Sequence, residues 1–135
     1  MSFNVLIVDD SELVRTSLRR LIALTVATAT IREAGSLSEA LVDVQRCPPI
    51  LVILDLKLPD GFGWNIIQPV KEIAPASRIA IFTMLADPEH RQRCMTLGAQ
   101  WFFGKGTGLG PLLDVVRQLA KLTSTSNPSP GNPNE

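Results

Sequence analysis

At 135 residues the chain has the length of a single domain, and 45% hydrophobic against 19% charged residues leave enough apolar surface for a substantial core. Thirteen basic residues balance thirteen acidic ones, which removes the electrostatic footprint of a nucleic-acid reader, and apolar runs of about five residues at most are too short to span a bilayer. Met1-Ser2-Phe3-Asn4 has no basic stretch and leads straight into a strand pattern, unlike a secretory leader, so the expected compartment is the cytoplasm.

Val5 to Val8 is branched and apolar, a first strand, and Leu13, Val14, Leu18, Leu21 and Ile22 follow at the three- and four-residue spacing of a helix face. A second strand is expected around Thr30 to Glu33, where the pattern is weakest. Ser36-Leu37-Ser38-Glu39 then forms a capping box opening a helix through Leu41 and Val44, which Pro48-Pro49 stop. Cys47 and Cys94 lie far apart without a CxxC partner, so both are expected as reduced core or half-buried thiols. Ile50 to Leu54 is an unbroken apolar run, the mark of a strand buried on both faces and therefore central.

Beyond Pro59-Asp60-Gly61 a third helix is expected near Trp64 to Ile73, kinked where Pro69 removes a hydrogen bond. Arg78 to Phe82 reads as the fourth strand, Pro88 to Leu97 as the fourth helix with Gly98 as its stop, and Trp101 to Phe103 as the fifth strand. Helix five is expected from about Pro111 to Leu122. Trp64 and Trp101 are expected to pack rather than bind ligand, and His90, the single histidine, to lie solvated on a polar helix face. The domain is thus expected over residues 1–122. Residues 123–135, rich in Thr, Ser, Asn and Pro, are expected to form a disordered tail or linker stub. Five strands alternating with five helices argue an α/β fold, a parallel sheet covered on both faces.

Polar residues end each buried strand: Asp9 and Asp10 after the first, Asp55 after the third, Thr83 after the fourth and Lys105 after the fifth. In an open α/β sheet these carboxyl ends share one edge, where ligands bind, so the five side chains converge on one cleft. Clustered carboxylates repel unless a cation sits among them, and hard oxygen donors suit magnesium. A lysine and a hydroxyl facing that metal can hold phosphoryl oxygens, leaving one carboxylate free as nucleophile.

Taken together, Asp9-Asp10, Asp55-Leu56-Lys57-Leu58-Pro59-Asp60-Gly61, Thr83 at a strand end and Gly98-Ala99 ahead of Lys105 make the sequence similar to the receiver domains of bacterial two-component response regulators, from residue 3 to about 122. The resemblance implies a flavodoxin-like (βα)5 three-layer sandwich with strand order 2-1-3-4-5. It also implies Asp55 as phosphoacceptor, with Mg2+ held by Asp10, by Asp9 through water, by Asp55 and by the backbone carbonyl of Lys57. Thr83 and Lys105 would bind the phosphoryl oxygens, and Phe102 would be the aromatic switch residue, rotating inward and remodelling a protein-binding face. The phosphoryl donor would be a histidine kinase or phosphotransfer protein. Output would pass to a protein target or to an effector domain beyond residue 135, with no direct nucleic-acid or membrane binding by this chain.

Two departures stand out. Gly106 follows the lysine where the family usually has a proline with a cis bond, and a cis bond without proline costs about 3 kcal/mol. Glycines at 104, 106, 108 and 110 suggest a permissive, mobile connection to the last helix. The alternative class is a receiver-like interaction module acting without phosphorylation, for which Gly106 is the hint. A nucleotide-binding loop fails on spacing, because Gly98 and Gly104 are separated by five residues and Gly106 follows the lysine. A phosphatase of the haloacid dehalogenase type fails because Asp55-Leu56-Lys57 lacks the second acid it needs.

Overall fold

The computed structural model describes residues 3–125. In chain order its strands are β1 (Asn4–Val8), β2 (Thr30–Ala34), β3 (Leu51–Leu54), β4 (Lys57–Leu58), β5 (Gly61–Phe62), β6 (Arg78–Thr83) and β7 (Trp101–Gly104). Its helices are α1 (Glu12–Thr25), α2 (Leu37–Arg46), α3 (Ile67–Ile73), α4 (Pro88–Leu97) and α5 (Leu109–Thr125), with a 3-10 turn at Gly63–Ile66. The main sheet is parallel in the order β2-β1-β3-β6-β7, which is 2-1-3-4-5 when the small β4–β5 ribbon is left uncounted. This is the flavodoxin-like strand order.

Side-chain alternation explains why the strands read as continuous apolar runs. Val5, Ile7, Leu51, Ile53, Ala80 and Phe82 pack on one face with Leu18 and Ile22 of α1 and Leu112, Val116 and Leu119 of α5. Leu6, Val8, Val52, Leu54, Ile79 and Ile81 pack on the other with Ala40 and Val44 of α2, Ile67 and Val70 of α3 and Cys94 of α4. A strand covered on both faces has no polar side to show. Among the helices below α5, α4 is the least anchored, with Cys94 as its one fully buried residue.

Several local expectations need correction. Pro69 lies in the first turn of α3, where a missing N–H costs little. The irregularity is the junction between the 3-10 turn and α3, not a mid-helix kink. Ser36 caps Glu39 N as expected, but the Glu39 carboxylate accepts from Gly35 N at 2.8 Å and not from the cap residue itself. Cys94 is buried, which pushes its thiol up to about 11, whereas Cys47 is exposed. His90 is not freely solvated: it bonds Asp87 and stacks on Trp64 at 5.5 Å, with Arg93 over the indole at 4.6 Å. The helix α5 starts two residues before Pro111 and runs to Thr125, past the expected end at Leu122. The rest of the expected tail, 126–135, lies outside the described residues.

Two backbone bonds span the connection after β7. Lys105 N donates to Thr83 O at 2.8 Å and Gly108 N to Gly104 O at 2.7 Å. A Cβ on Gly108 would stand 2.6 Å from Gly104 O and from Phe103 Cβ, so glycine there permits a close approach. The Lys105–Gly106 bond is trans, as every described peptide bond is, because without proline the cis form has nothing to offset its cost.

One non-local cap ties the ribbon to the body. The Asp60 carboxylate accepts from Leu37 N at 2.8 Å and Ser38 N at 3.0 Å, the first turn of α2. Those two N–H bonds, Leu37 first, hold the Asp60 carboxyl below its ordinary value of 3.8. A folded-state value below the unfolded one contributes stability that is present above pH 3.8 and disappears as pH falls through the folded value. Asp60→Ala is therefore expected to lower the thermal midpoint at neutral pH. The gap from the parent should close below the usual carboxylate range, and a gap independent of pH in thermal melts would contradict this.

Candidate functional site

Two of the three acids sit one step past their strands yet remain tied to the sheet by backbone bonds: Asp9 N donates to Ala34 O at 3.1 Å, and Asp55 N to Val8 O at 2.9 Å. Thr83 is the last residue of β6 and accepts from Lys105 N, which brings the lysine back over the same edge. Parallel strands place their carboxyl ends together, and the sheet order puts β1, β3 and β6 side by side at its centre. Asp9, Asp55 and Thr83 are buried there, Lys105 is partly buried and Asp10 is exposed.

The Lys105 ammonium bridges Asp9 Oδ2 at 2.8 Å and Asp55 Oδ2 at 3.1 Å. The remaining oxygens of both acids accept backbone N–H groups, Asp9 Oδ1 from Ser11 at 2.9 Å and Asp55 Oδ1 from Leu56 at 2.7 Å. Thr83 Oγ1 accepts from Leu85 N at 3.2 Å. Burial drives the Asp9 carboxyl up, and the Lys105 bond and the Ser11 N–H only partly oppose it. Burial likewise pulls the Lys105 ammonium down, but its bonds to Asp9 and Asp55 outweigh that and hold it above its ordinary value. The lysine is thus a fixed positive charge between two carboxylates.

Asp9, Asp10 and Asp55 can each bring a carboxylate oxygen within 4.8 Å of the others, a set of hard donors that fits a divalent cation. An open cleft of about 540 Å³ runs beside them, lined by Asp10, Asp55, Lys57, Thr83, Met84 and Leu85 among others. All five strand-end residues singled out in the sequence therefore meet here, and Lys57 lies on the cleft wall. Phe102 is already inward, 7% exposed and packed in the core cluster of α2, α3 and α4, with the Arg91 guanidinium 6.0 Å from its ring centre. The expected inward rotation has no outward starting position in this structure.

The sequence did not single out two residues that shape this site. Gly63 N donates to Leu56 O at 2.8 Å, and a Cβ there would fall 2.2 Å from Asp55 O, so the turn after the ribbon presses directly on the backbone of Asp55. Arg15 Nη1 donates to the carbonyl of Asp9 at 2.7 Å. The glycine follows closely on a motif already quoted, but nothing in its local pattern marks the close approach; the arginine sits on a helix face like many others and carried no signal.

The sequence model of the family described as response regulator receiver domain matches residues 5–117. Response regulator GacA of Pseudomonas protegens is 27% identical over 113 residues, 84% of this chain and 53% of that protein. The KDP operon transcriptional regulatory protein KdpE of Escherichia coli is 32% identical over 130 residues, 94% of this chain and 56% of that protein. The chain thus spans about half the length of the curated relatives it matches. A CheY-like response regulator receiver domain protein from Methanospirillum hungatei superposes with a TM-score of 0.82 at 20% identity, covering 94% of this chain and 100% of that one. Among the described residues no helix is long and apolar enough to cross a membrane.

Proposed function

The chain belongs to the response regulator receiver domain family, and from that premise we propose that Asp55 accepts a phosphoryl group from the phosphohistidine of a histidine kinase or phosphotransfer protein, with Mg2+ in the acidic cluster, and that the product switches a protein-binding face. The observation that carries this reading is the Lys105 ammonium, 3.1 Å from Asp55 Oδ2, beside three acids whose oxygens can gather within 4.8 Å. A receiver is a phosphoacceptor signalling module and not a conventional enzyme.

An Asp55 carboxylate oxygen attacks phosphorus as the bond from phosphorus to the donor imidazole nitrogen breaks, and the electron pair leaves with the imidazole. Asp9, Asp10, Asp55 and the Lys57 carbonyl would hold Mg2+, which when bound offsets the negative charge of the phosphoryl oxygens. Lys105 swings its ammonium from carboxylate to phosphoryl oxygen, and the Thr83 hydroxyl donates its hydrogen to another. Output runs through Phe102 and α4, which touch through Arg91 and of which α4 is the weakly anchored element. With the bond to Gly106 trans, Lys105 still reaches Asp55, which favours phosphoacceptance over a module acting without it.

Incubation with Mg2+ and acetyl phosphate, read by intact mass, is the test: a gain of one phosphoryl group that chelation of Mg2+ prevents is expected, and no gain with Mg2+ present would overturn the reading. The lifetime of the product is a further expected outcome. Lys57 and Leu85 both line the cleft, and neither side chain carries an acceptor oxygen that could take a proton from an in-line water. Replacing them together, Lys57→Asn with Leu85→Glu, should speed loss of phosphate several-fold. An unchanged decay in the double variant would show that neither side chain controls water access.

A further inference from the structure

We infer that Arg15 is a positioning residue for the divalent cation: by gripping the carbonyl of Asp9 it sets the peptide plane between the two adjacent acids and so the angle at which both carboxylates face the metal. The inference rests on the reading of the cluster as a Mg2+-assisted phosphoacceptor site. Between the Asp9 and Asp10 side chains the backbone has two soft dihedrals, ψ of Asp9 and φ of Asp10, with a rigid peptide between them. The Asp9 carbonyl belongs to that peptide, and Arg15 Nη1 donates to it at 2.7 Å.

The guanidinium is itself held. Its Nε donates to Glu33 Oε1 on β2 at 2.9 Å, and Arg15 is 18% exposed. Arg19 takes the other oxygen of Glu33 at 2.6 Å and the carbonyl of Ile31 at 2.8 Å. One carboxylate on β2 thus aligns two arginines one helical turn apart on α1, and the nearer one reaches the acidic turn. The planar fork of Arg15 spans Glu33 and the Asp9 carbonyl together; an ammonium makes no such fixed pair of directed bonds. Groups that orient metal ligands without touching the metal commonly contribute ten- to a hundredfold to affinity.

Charge alone argues the opposite sign, which makes the inference sharp. A guanidinium near a cation site repels the cation, so deleting its charge should tighten Mg2+ binding if Arg15 acts only through the field. If it positions the turn, Arg15→Met should weaken binding about tenfold. Arg15→Lys keeps the charge and loses the fork, so a field effect leaves the affinity unchanged whereas positioning weakens it several-fold.

The experiment is calorimetric titration of Mg2+ into the parent chain, Arg15→Met, Arg15→Lys and Arg32→Met, each checked by thermal melting. Arg32 pairs with Asp43 and the Cys47 carbonyl on the other side of β2, so its variant removes a similar network remote from the acids and should keep the parent affinity. The expected result is weaker Mg2+ binding in both Arg15 variants, with acetyl phosphate labelling rates that recover at saturating Mg2+. Equal or tighter binding in Arg15→Met overturns the inference; should that variant fail to fold, parent affinity in Arg15→Lys overturns it. A parent chain that binds no Mg2+ overturns the proposed function and this inference with it.

Discussion

Asp55→Asn is expected to abolish the phosphoryl gain while leaving a folded chain. The amide matches the carboxylate in shape but offers no anionic oxygen to attack phosphorus, so labelling should fall to background at any Mg2+ concentration. Folding should survive because Lys105, which bridges Asp55 and Asp9, keeps its 2.8 Å partner at Asp9, and the Asn oxygen can still accept from Leu56 N. The variant also removes one of three acids crowded at one edge, so its loss of function cannot be put down to added repulsion. Intact mass with and without acetyl phosphate decides the matter, and undiminished labelling of Asp55→Asn would remove Asp55 from its role.

Gly63→Ala has the second large effect, through geometry and not chemistry. Its Cβ would lie 2.2 Å from Asp55 O, 3.1 Å from Asp55 C and 3.2 Å from Leu56 Cα. All three are backbone atoms of the segment that carries the phosphoacceptor, so relief requires moving that segment or opening the Gly63 N to Leu56 O bond. Overpacking against side chains typically costs 1–3 kcal/mol, and a clash with fixed backbone should reach about 3 kcal/mol or more. The expected result is a large drop in the urea midpoint together with loss of labelling in the fraction that remains folded. Gly106→Ala is the comparison: its Cβ meets nothing within 4 Å, so stability should stay near the parent's. A Gly63→Ala chain with parental stability and labelling would show that the Asp55 backbone gives way at no cost.

The divide between what the chain spells out and what folding decides is clear at particular residues. Strand positions were legible because a strand covered on both faces must be apolar throughout, as at Leu51–Leu54, and because parallel strands bring their carboxyl ends to one edge. That rule alone gathers Asp9, Asp10, Asp55, Thr83 and Lys105, even though Lys105 and Asp55 are 50 residues apart. Helix limits were less legible: α5 begins at Leu109, two residues before Pro111, directly after a glycine turn that Lys105 N ties to Thr83 O, where local pattern marked only a loop.

The sequence by itself thus determined the fold class, the edge that carries the site and the kinds of group gathered there, because those follow from periodicity and from strand-end placement. Only the tertiary structure decided which neighbours hold the site in shape. Arg15 meets Glu33 across 18 residues, Asp60 meets Leu37 across 23, and Gly63 touches Asp55 only because the ribbon folds back. The inward place of Phe102 belongs with them. Such contacts depend on distances between elements that have already packed, and an arginine, an aspartate or a glycine reads the same in sequence whether or not a partner arrives.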